Sequence, residues 1–371
     1  MKNYTMEIKM KRKIMFYTMT LKKGGAENTI VNIANEFINK YDITIVTNIK
    51  CKPEYILNSR VKYICLDKDN KQNESFLKKI ITKLSPKRTK YLKKVIISEK
   101  PDLVFSFLPE PSIRLLKLKR YFKIPLLVSV RNHPEHEFIH LKKIRDFYYK
   151  KATTVIVQDK SYIKYFSDDV KKNMNVIPNF LTEEFTRYES SIEKRNKIVT
   201  VTRLEPQKNL QLLIRAFSLL DHKFDDYELY IYGIGSEYEK LKKLIDKYDL
   251  NKRVILAGRV KSIPDEISDA VLFVLPSNYE GMPNVLLEAM SLSIPVITTY
   301  STEVIDSIIT SDENGIIVPV GDVLALRDAM DRLLSNKELQ NKLKTNASKV
   351  REIYNKDNII KLWEEIIERY L

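Results

Sequence analysis

Glycine is scarce in this chain: 8 residues in 371, and only Gly24 and Gly25 precede position 233. A chain this poor in glycine has no glycine-rich linker, and its few glycines are expected where the backbone needs them. Cysteine is scarcer still. Cys51 and Cys65 are the whole supply, too few for a disulfide framework or a structural zinc site, and in keeping with a reducing cytosol. No apolar run reaches the roughly 18 residues needed to cross a bilayer. The run Ile14-Met15-Phe16-Tyr17 ends at Thr18, Thr20 and two lysines, so it reads as a strand rather than a signal peptide. Met6 and Met10 suggest that the first ten residues are a loose extension.

What is present points to a soluble globular protein of two domains. At 371 residues the chain suggests two domains of about 150 to 200 residues each. Hydrophobic content is 44%, with 21 Tyr and 14 Phe, ample for two cores. The net charge of +16 is lopsided. Residues 1–196 carry 32 Lys and 9 Arg against 21 Asp and Glu, a net +20, while the remainder is mildly acidic. A basic half suggests an anionic partner: nucleic acid, a membrane surface or a phosphorylated substrate. A general lysine bias explains many of the lysines but not their placement.

Strand and helix patterns alternate throughout. The first series has strands at 13–19, 42–47, 60–66, 103–108, 125–130, 153–158 and 174–178. Helices are expected at 26–39, up to Glu99, at 112–122 and at 138–151, with a short one at 160–166. The second series has strands at 197–201, 228–232, 253–257, 271–275, 294–298 and 315–318. Helices fall at 208–220, 237–248, 263–269, 284–292 and 303–309, and fill most of 322–371. Such alternation implies parallel sheets built from crossover units, and near-continuous apolar strands such as LVFSFL suit sheets covered on both faces. The expected domains are 1–180, a linker over 181–196, then 197–354, with 355–371 as a final helix.

Ligands of such sheets bind beyond the carboxyl ends of the strands, and the unusual residues fall there. EGMPNVLLE (280–288) sets Glu280 at a strand-to-helix turn and Glu288 inside the helix. Free N–H groups at a helix start attract anions. Two acids beside them would repel a bare phosphate, so the guest should carry hydroxyls as well, as a nucleotide sugar does. Unrelated loop and helix acids are the competing account. Arg203 and Lys208, in TRLEPQKN, could clamp a diphosphate or be a solvated loop. Gly233-Ile234-Gly235-Ser236 is only part of a dinucleotide fingerprint, because position 238 is Tyr; it is read as a tight turn permitting close approach. Gly24-Gly25 could bring backbone N–H groups to a phosphate or form a plain turn, and no P-loop ending follows. His133 sits in VRNHPEHE near Arg131, Asn132 and Glu135. His133, His136 and His140 lack the carboxylate spacing of zinc enzymes, so no metal is expected.

In this order, the motifs resemble glycosyltransferase family 4, retaining enzymes of the GT-B fold, over nearly the whole chain. The carriers are Gly24–Glu27, residues 131–133, Pro178-Asn179, Arg203-Leu204, Lys208-Asn209, 233–235, and Glu280 with Glu288. The resemblance implies two Rossmann-like doubly wound domains facing a cleft, with residues 358–371 crossing back onto the first. The donor would be a nucleoside diphosphate sugar, UDP-linked on family frequency, and the acceptor a glycan, often lipid-linked. Arg203 and Lys208 would neutralise the leaving diphosphate in place of a metal. Glu288 would bind the ribose and Glu280 the sugar ring. Amides after Gly281, along Met282, Pro283, Asn284 and Val285, would meet sugar and phosphate, with Gly233 beside them. Gly25 would contact phosphate, and His133 the reacting sugar. Glu280, His133, Arg203 and Lys208 are thus the expected catalytic set, with Glu280 assigned to binding ahead of nucleophilic attack.

Two departures stand out. Thr202 replaces the glycine common before the clamp Arg, and VRNHPE differs from the usual His-Asp or His-Asn forms. The basic half would face the acceptor and an anionic inner leaflet, through the mixed basic and apolar stretches 78–94 and 114–123. That places the protein in the cytoplasm, peripherally on the membrane, in capsule- or lipopolysaccharide-type polysaccharide synthesis. Two rivals remain: an epimerase or phosphorylase of the same architecture, and a basic nucleic-acid-binding protein, for which no nucleic-acid module is visible.

Overall fold

The computed structural model describes residues 11–22, 24–49, 55–67, 86–136, 139–189 and 194–371. Cys51, Met6, Met10 and residues 78–85 lie outside them, as do 190–193 of the expected linker. The side chains of His136 and His140 are likewise outside the description.

The chain divides into two compact units: residues 1–177 with 360–371, and residues 178–359. The first is built on a sheet ordered β3-β2-β1-β4-β5-β6-β7. Its strands are β1 (Lys13–Thr18), β2 (Asp42–Thr47), β3 (Lys62–Cys65), β4 (Leu103–Phe107), β5 (Leu126–Ser129), β6 (Thr154–Val157) and β7 (Met174–Val176). Every pairing is parallel. β4, β5 and β6 are buried along their full length, as expected of strands covered on both faces.

Helix Lys356–Tyr370 adds one ring to this unit's aromatic core. Trp363 is fully buried. Its ring lies 5.8 Å from Phe105 and 6.4 Å from Phe107, and Arg131 stacks over it at 5.1 Å. The apolar spacing of the last segment therefore serves the first sheet, although the segment follows the second in sequence.

The second unit carries β8 (Arg195–Val201), β9 (Glu228–Tyr232), β10 (Val254–Gly258), β11 (Ala270–Leu275), β12 (Val296–Thr299) and β13 (Ile316–Val318). Their order is β10-β9-β8-β11-β12-β13, again all parallel. Both sheets are therefore doubly wound, with the strand order reversing beside the first strand of each unit.

Local readings differ in several places, among them the helix expected at 208–220, which is a 3-10 turn at Pro206–Lys208 followed by a helix at Leu210–Ser218. The single helix expected at 112–122 is Pro109–Leu116 followed by a 3-10 turn at Lys119–Tyr121. Its early start reflects Pro109 and Pro111, which suit a first helical turn. The short helix expected at 160–166 is a 3-10 helix over Lys160–Tyr165, capped by Asp159, whose carboxylate accepts from the Ser161 N–H at 2.8 Å. Within the expected linker, Glu183–Thr186 forms a helical turn.

Candidate active site

In the second unit, the loops leaving β8, β9, β11 and β12 converge at the carboxyl end of the sheet. Their residues explain one another. Gly233 has φ +142°, and a Cβ there would sit 1.7 Å from the Thr202 carbonyl oxygen. Gly235 is as constrained, with Leu204 O at 2.3 Å from its would-be Cβ. The two glycines let the β9 loop press onto the β8 loop, and Leu204 N then donates to Ile234 O at 3.0 Å while Glu237 N donates to Leu204 O at 2.8 Å. Ser236 adds a side-chain tie, donating to Glu205 Oε2 at 2.8 Å. The glycine turn is thus a brace for the Arg203 loop. Thr202, in place of the usual glycine, has no positive φ, so the loop needs no glycine there.

A second set of bonds ties the β8 loop to the acid loop. Asn278 N donates to Gln207 O at 2.8 Å, and Gln207 Nε2 to Tyr279 O at 2.8 Å. Asn209 Nδ2 donates to Asn278 Oδ1 at 2.9 Å. Asn209 is left-handed, at φ 43°, a conformation that asparagine tolerates better than most residues.

At the centre of this seam lies a buried ion pair. Lys208 Nζ donates to Glu280 Oε1 at 2.5 Å, and the Ser277 hydroxyl donates to the same oxygen at 2.5 Å. Lys208 is 9% exposed and Glu280 6%. Ser277 is itself fixed, since its carbonyl accepts from Thr299 Oγ1 at 2.5 Å, and Glu280 N donates to Ser301 O at 3.1 Å. Ser277 and Thr299 were not legible in the sequence: both are common residues, and only folding sets them behind an acid. Arg203, by contrast, is exposed, with its nearest polar partner Gln207 Oε1 at 3.5 Å. The two expected clamp cations therefore differ: one is held inside the seam and one reaches into solvent.

Pro283 precedes helix Asn284–Ser291 and caps it in an extended conformation without a side-chain bond. Met282 and Pro283 are buried; Gly281, Asn284, Val285 and Glu288 are partly exposed. Asn179 closes the near side. Its N–H points at Met282 Sδ at 3.2 Å, and its amide donates to Asn284 Oδ1. The Pro178-Asn179 signature thus serves as a backstop for the acid loop.

In the first unit, Gly25 opens helix Gly25–Phe37 at the carboxyl end of β1 and is exposed. Gly24 is pinned from both sides by Tyr55, whose hydroxyl accepts from Gly24 N at 2.9 Å and donates to Gly24 O at 2.8 Å. His133 follows β5, is buried, and takes the Glu135 N–H on Nδ1 at 3.1 Å. Its ring meets Tyr162 and Tyr165 edge-on at 5.1 and 5.3 Å. Nearby, burial drives the Arg131 guanidinium down to about 9; its Nε donates to Ser129 Oγ at 2.8 Å.

Residues 182–350 match the family model of the glycosyl transferases group 1. The second unit thus resembles the domain of that family. Over the whole chain, a Campylobacter jejuni alpha-1,4-N-acetyl-D-galactosaminyltransferase is 26% identical, with 96% of this chain and 98% of that one covered. Its name gives the acceptor as a GalNAc-GalNAc-diNAcBac unit on undecaprenyl diphosphate. The fold is that of sucrose-phosphate synthase from Thermosynechococcus elongatus, at TM-score 0.82 and 18% identity over 97% of this chain and 99% of that one. Anabaena HepE, solved with UDP-glucose, matches at TM-score 0.78 and 17% identity over 96% and 99%. The fold of this chain is therefore GT-B.

Proposed function

We propose that this chain is a retaining, metal-independent glycosyltransferase. It would move a hexose or N-acetylhexosamine from a UDP-sugar to a glycan acceptor, lipid-linked, in cell-surface polysaccharide synthesis. The observation that carries the reading is the seam at the carboxyl ends of β8, β9 and β11. It aligns Arg203, the Lys208–Glu280 pair and the start of helix Asn284–Ser291 on one sheet edge. The family match supports a nucleotide-sugar donor, and HepE was solved with UDP-glucose. The C. jejuni relative's name supports a lipid-linked acceptor.

The chemistry follows from charge. Breaking the anomeric C–O bond places negative charge on the diphosphate and positive charge on the sugar ring. Fixed cations stabilise the first without reorganising at the moment of reaction. In this reading exposed Arg203 grips the diphosphate with its planar fork, and Lys208 supplies a point charge whose position Glu280 and Ser277 fix. Both of those bonds fall on Oε1, so Oε2 is the atom assigned to the sugar hydroxyls. Glu288 binds the ribose. Amides from Gly281 to Val285, with Gly233 behind them, meet sugar and phosphate. In the first unit, Gly25 contacts phosphate and His133 the sugar, and the unit binds the acceptor. The leaving phosphate takes the acceptor proton in a front-face displacement that retains configuration.

A thermal-shift screen of UDP-, GDP- and ADP-sugars tests the reading. A UDP-sugar should raise the melting temperature, and Glu288→Ala should abolish that rise. An unchanged rise in the variant would remove the ribose assignment.

A further inference from the structure

Helix Gly25–Phe37 starts without an ordinary cap. Its N-cap is Gly24, which has no side chain to bond the first turn. A Ser, Asp or Asn there would accept from the N–H of Ala26 or Glu27. Those are the amides that a phosphate oxygen would need. A cap from within the turn and a turn open to an anion therefore exclude each other.

The turn is held from outside instead. Gly24 is extended, at φ −171° and ψ 159°, so its own N–H and C=O lie on one side of the chain. The Tyr55 hydroxyl meets both, accepting from Gly24 N at 2.9 Å and donating to Gly24 O at 2.8 Å. Gly24 O keeps its helical bond as well, accepting from Asn28 N at 3.0 Å. Both Tyr55 bonds fall on Gly24, not on the N–H groups of Gly25, Ala26 or Glu27.

Tyr55 is itself anchored to the helix it serves. Asn35 Nδ2 donates to Ile56 O at 2.8 Å, and Asn58 N donates to Asn35 Oδ1 at 2.9 Å. Asn58 Oδ1 accepts from Arg60 N at 3.0 Å, and Arg60 Nη2 donates to Asn39 Oδ1 at 2.7 Å. Residues 55–60 are thus a strap along helix Gly25–Phe37. Ile56 on that strap is 92% exposed, so hydrogen bonds rather than burial hold this part of it.

We propose that Tyr55 is a positioning residue for sugar transfer. It fixes Gly24 so that the amides beginning helix Gly25–Phe37 stay open and aligned for a diphosphate oxygen that gains charge as the anomeric bond breaks. The inference rests on the transferase reading, in which Gly25 meets that phosphate, and it adds a residue that neither the glycine pair nor the charge pattern points to. Fixed donors aimed where charge develops lower the barrier more than they tighten ground-state binding. Tyr55 therefore acts on kcat rather than on donor affinity, which the second unit carries.

The test follows UDP release by the full chain from UDP-glucose, UDP-galactose and their N-acetylamino counterparts, with water as acceptor. Tyr55→Phe keeps the ring and removes both bonds. It should lower kcat at least tenfold and leave donor KM and UDP affinity within twofold. Asn35→Ala, which loosens the strap, should lower kcat at least threefold at unchanged KM. Gly24→Ser separates positioning from stability. Added to Tyr55→Phe, it should restore the wild-type melting temperature through an ordinary cap and leave kcat low, because the serine takes an amide that the phosphate needs. Wild-type kcat in Tyr55→Phe would overturn the inference, as would recovery of kcat on adding Gly24→Ser, or a loss confined to KM. Each of those results leaves the transferase reading standing. Wild type that releases UDP from none of the four donors would remove that reading and, with it, the role given to Tyr55.

Discussion

Lys208 and Glu280, 72 residues apart in sequence, form a buried ion pair at 2.5 Å, and Ser277 donates to the same carboxylate oxygen. Two residues first read as separate contacts, one for phosphate and one for sugar, are one unit. Removing a single partner strands a buried charge, which costs about 3–5 kcal/mol. Glu280→Ala and Lys208→Ala should each lower the melting temperature by roughly 6–20 °C, on the scaling for a unit of this size. The double variant Lys208→Met/Glu280→Gln should recover most of that loss while staying inactive. Differential scanning calorimetry with a turnover assay separates the two effects. Additive losses in the double variant would contradict the pairing.

Gly233 and Gly258 make a matched comparison. Both have positive φ, but a Cβ at Gly233 meets Thr202 O at 1.7 Å, while one at Gly258 meets nothing within 4 Å. Gly258→Ala should cost about 1 kcal/mol, the backbone term alone. Gly233→Ala must also push the Arg203 loop away, so it should cost several times more and weaken UDP binding at least tenfold. Chemical denaturation and calorimetric titration read the two outcomes.

Trp363 is the sole tryptophan, and it is fully buried beside Phe105, Phe107 and Arg131. Its emission therefore reports the seating of the final helix on the first unit. Trp363→Ala should cost about 3–5 kcal/mol. Stopping the chain at residue 359 should leave the first unit aggregation-prone, because the same aromatic surface is then exposed. Wild-type solubility and melting after truncation would show that the helix is dispensable.

Lys194 gives a pH signature. Its Nζ donates to Ser268 O at 2.6 Å, and burial, with Lys344 nearby, pushes it down from the ordinary 10.5 to about 8. The folded state thus releases this proton before the unfolded state does. Between about pH 8 and 10.5 the unfolded chain binds more protons, so this group's contribution to stability rises with pH. Below pH 8 both states are protonated and the penalty is constant. Lys194→Met should raise stability at neutral pH by up to about 3 kcal/mol and flatten the rise above pH 8. Melting temperatures across that range check the sign.

The alternation of strands and helices was legible because it depends on local apolar spacing. So was the placing of Arg203, Lys208, Gly233 and Glu280 at strand ends, since each follows a readable strand. The pairing of Lys208 with Glu280 was not, because it arises where two loops meet after folding. The same holds for the roles of Ser277 and Thr299, which are common residue types without a local pattern; Asn179 was legible as part of a motif, but its bond to Asn284 was not. The break after Leu116 was missed because the basic residues beyond it continue a helix-like composition while the chain turns towards β5.

The central claim is that the β8–β11 seam of the second unit holds a nucleoside diphosphate through protein cations. Titration of UDP into the chain in excess EDTA tests it most directly. The account predicts saturable binding that EDTA leaves unchanged and that Arg203→Ala weakens at least tenfold. Binding that appears only with a divalent cation, or that is indifferent to Arg203→Ala, would contradict it.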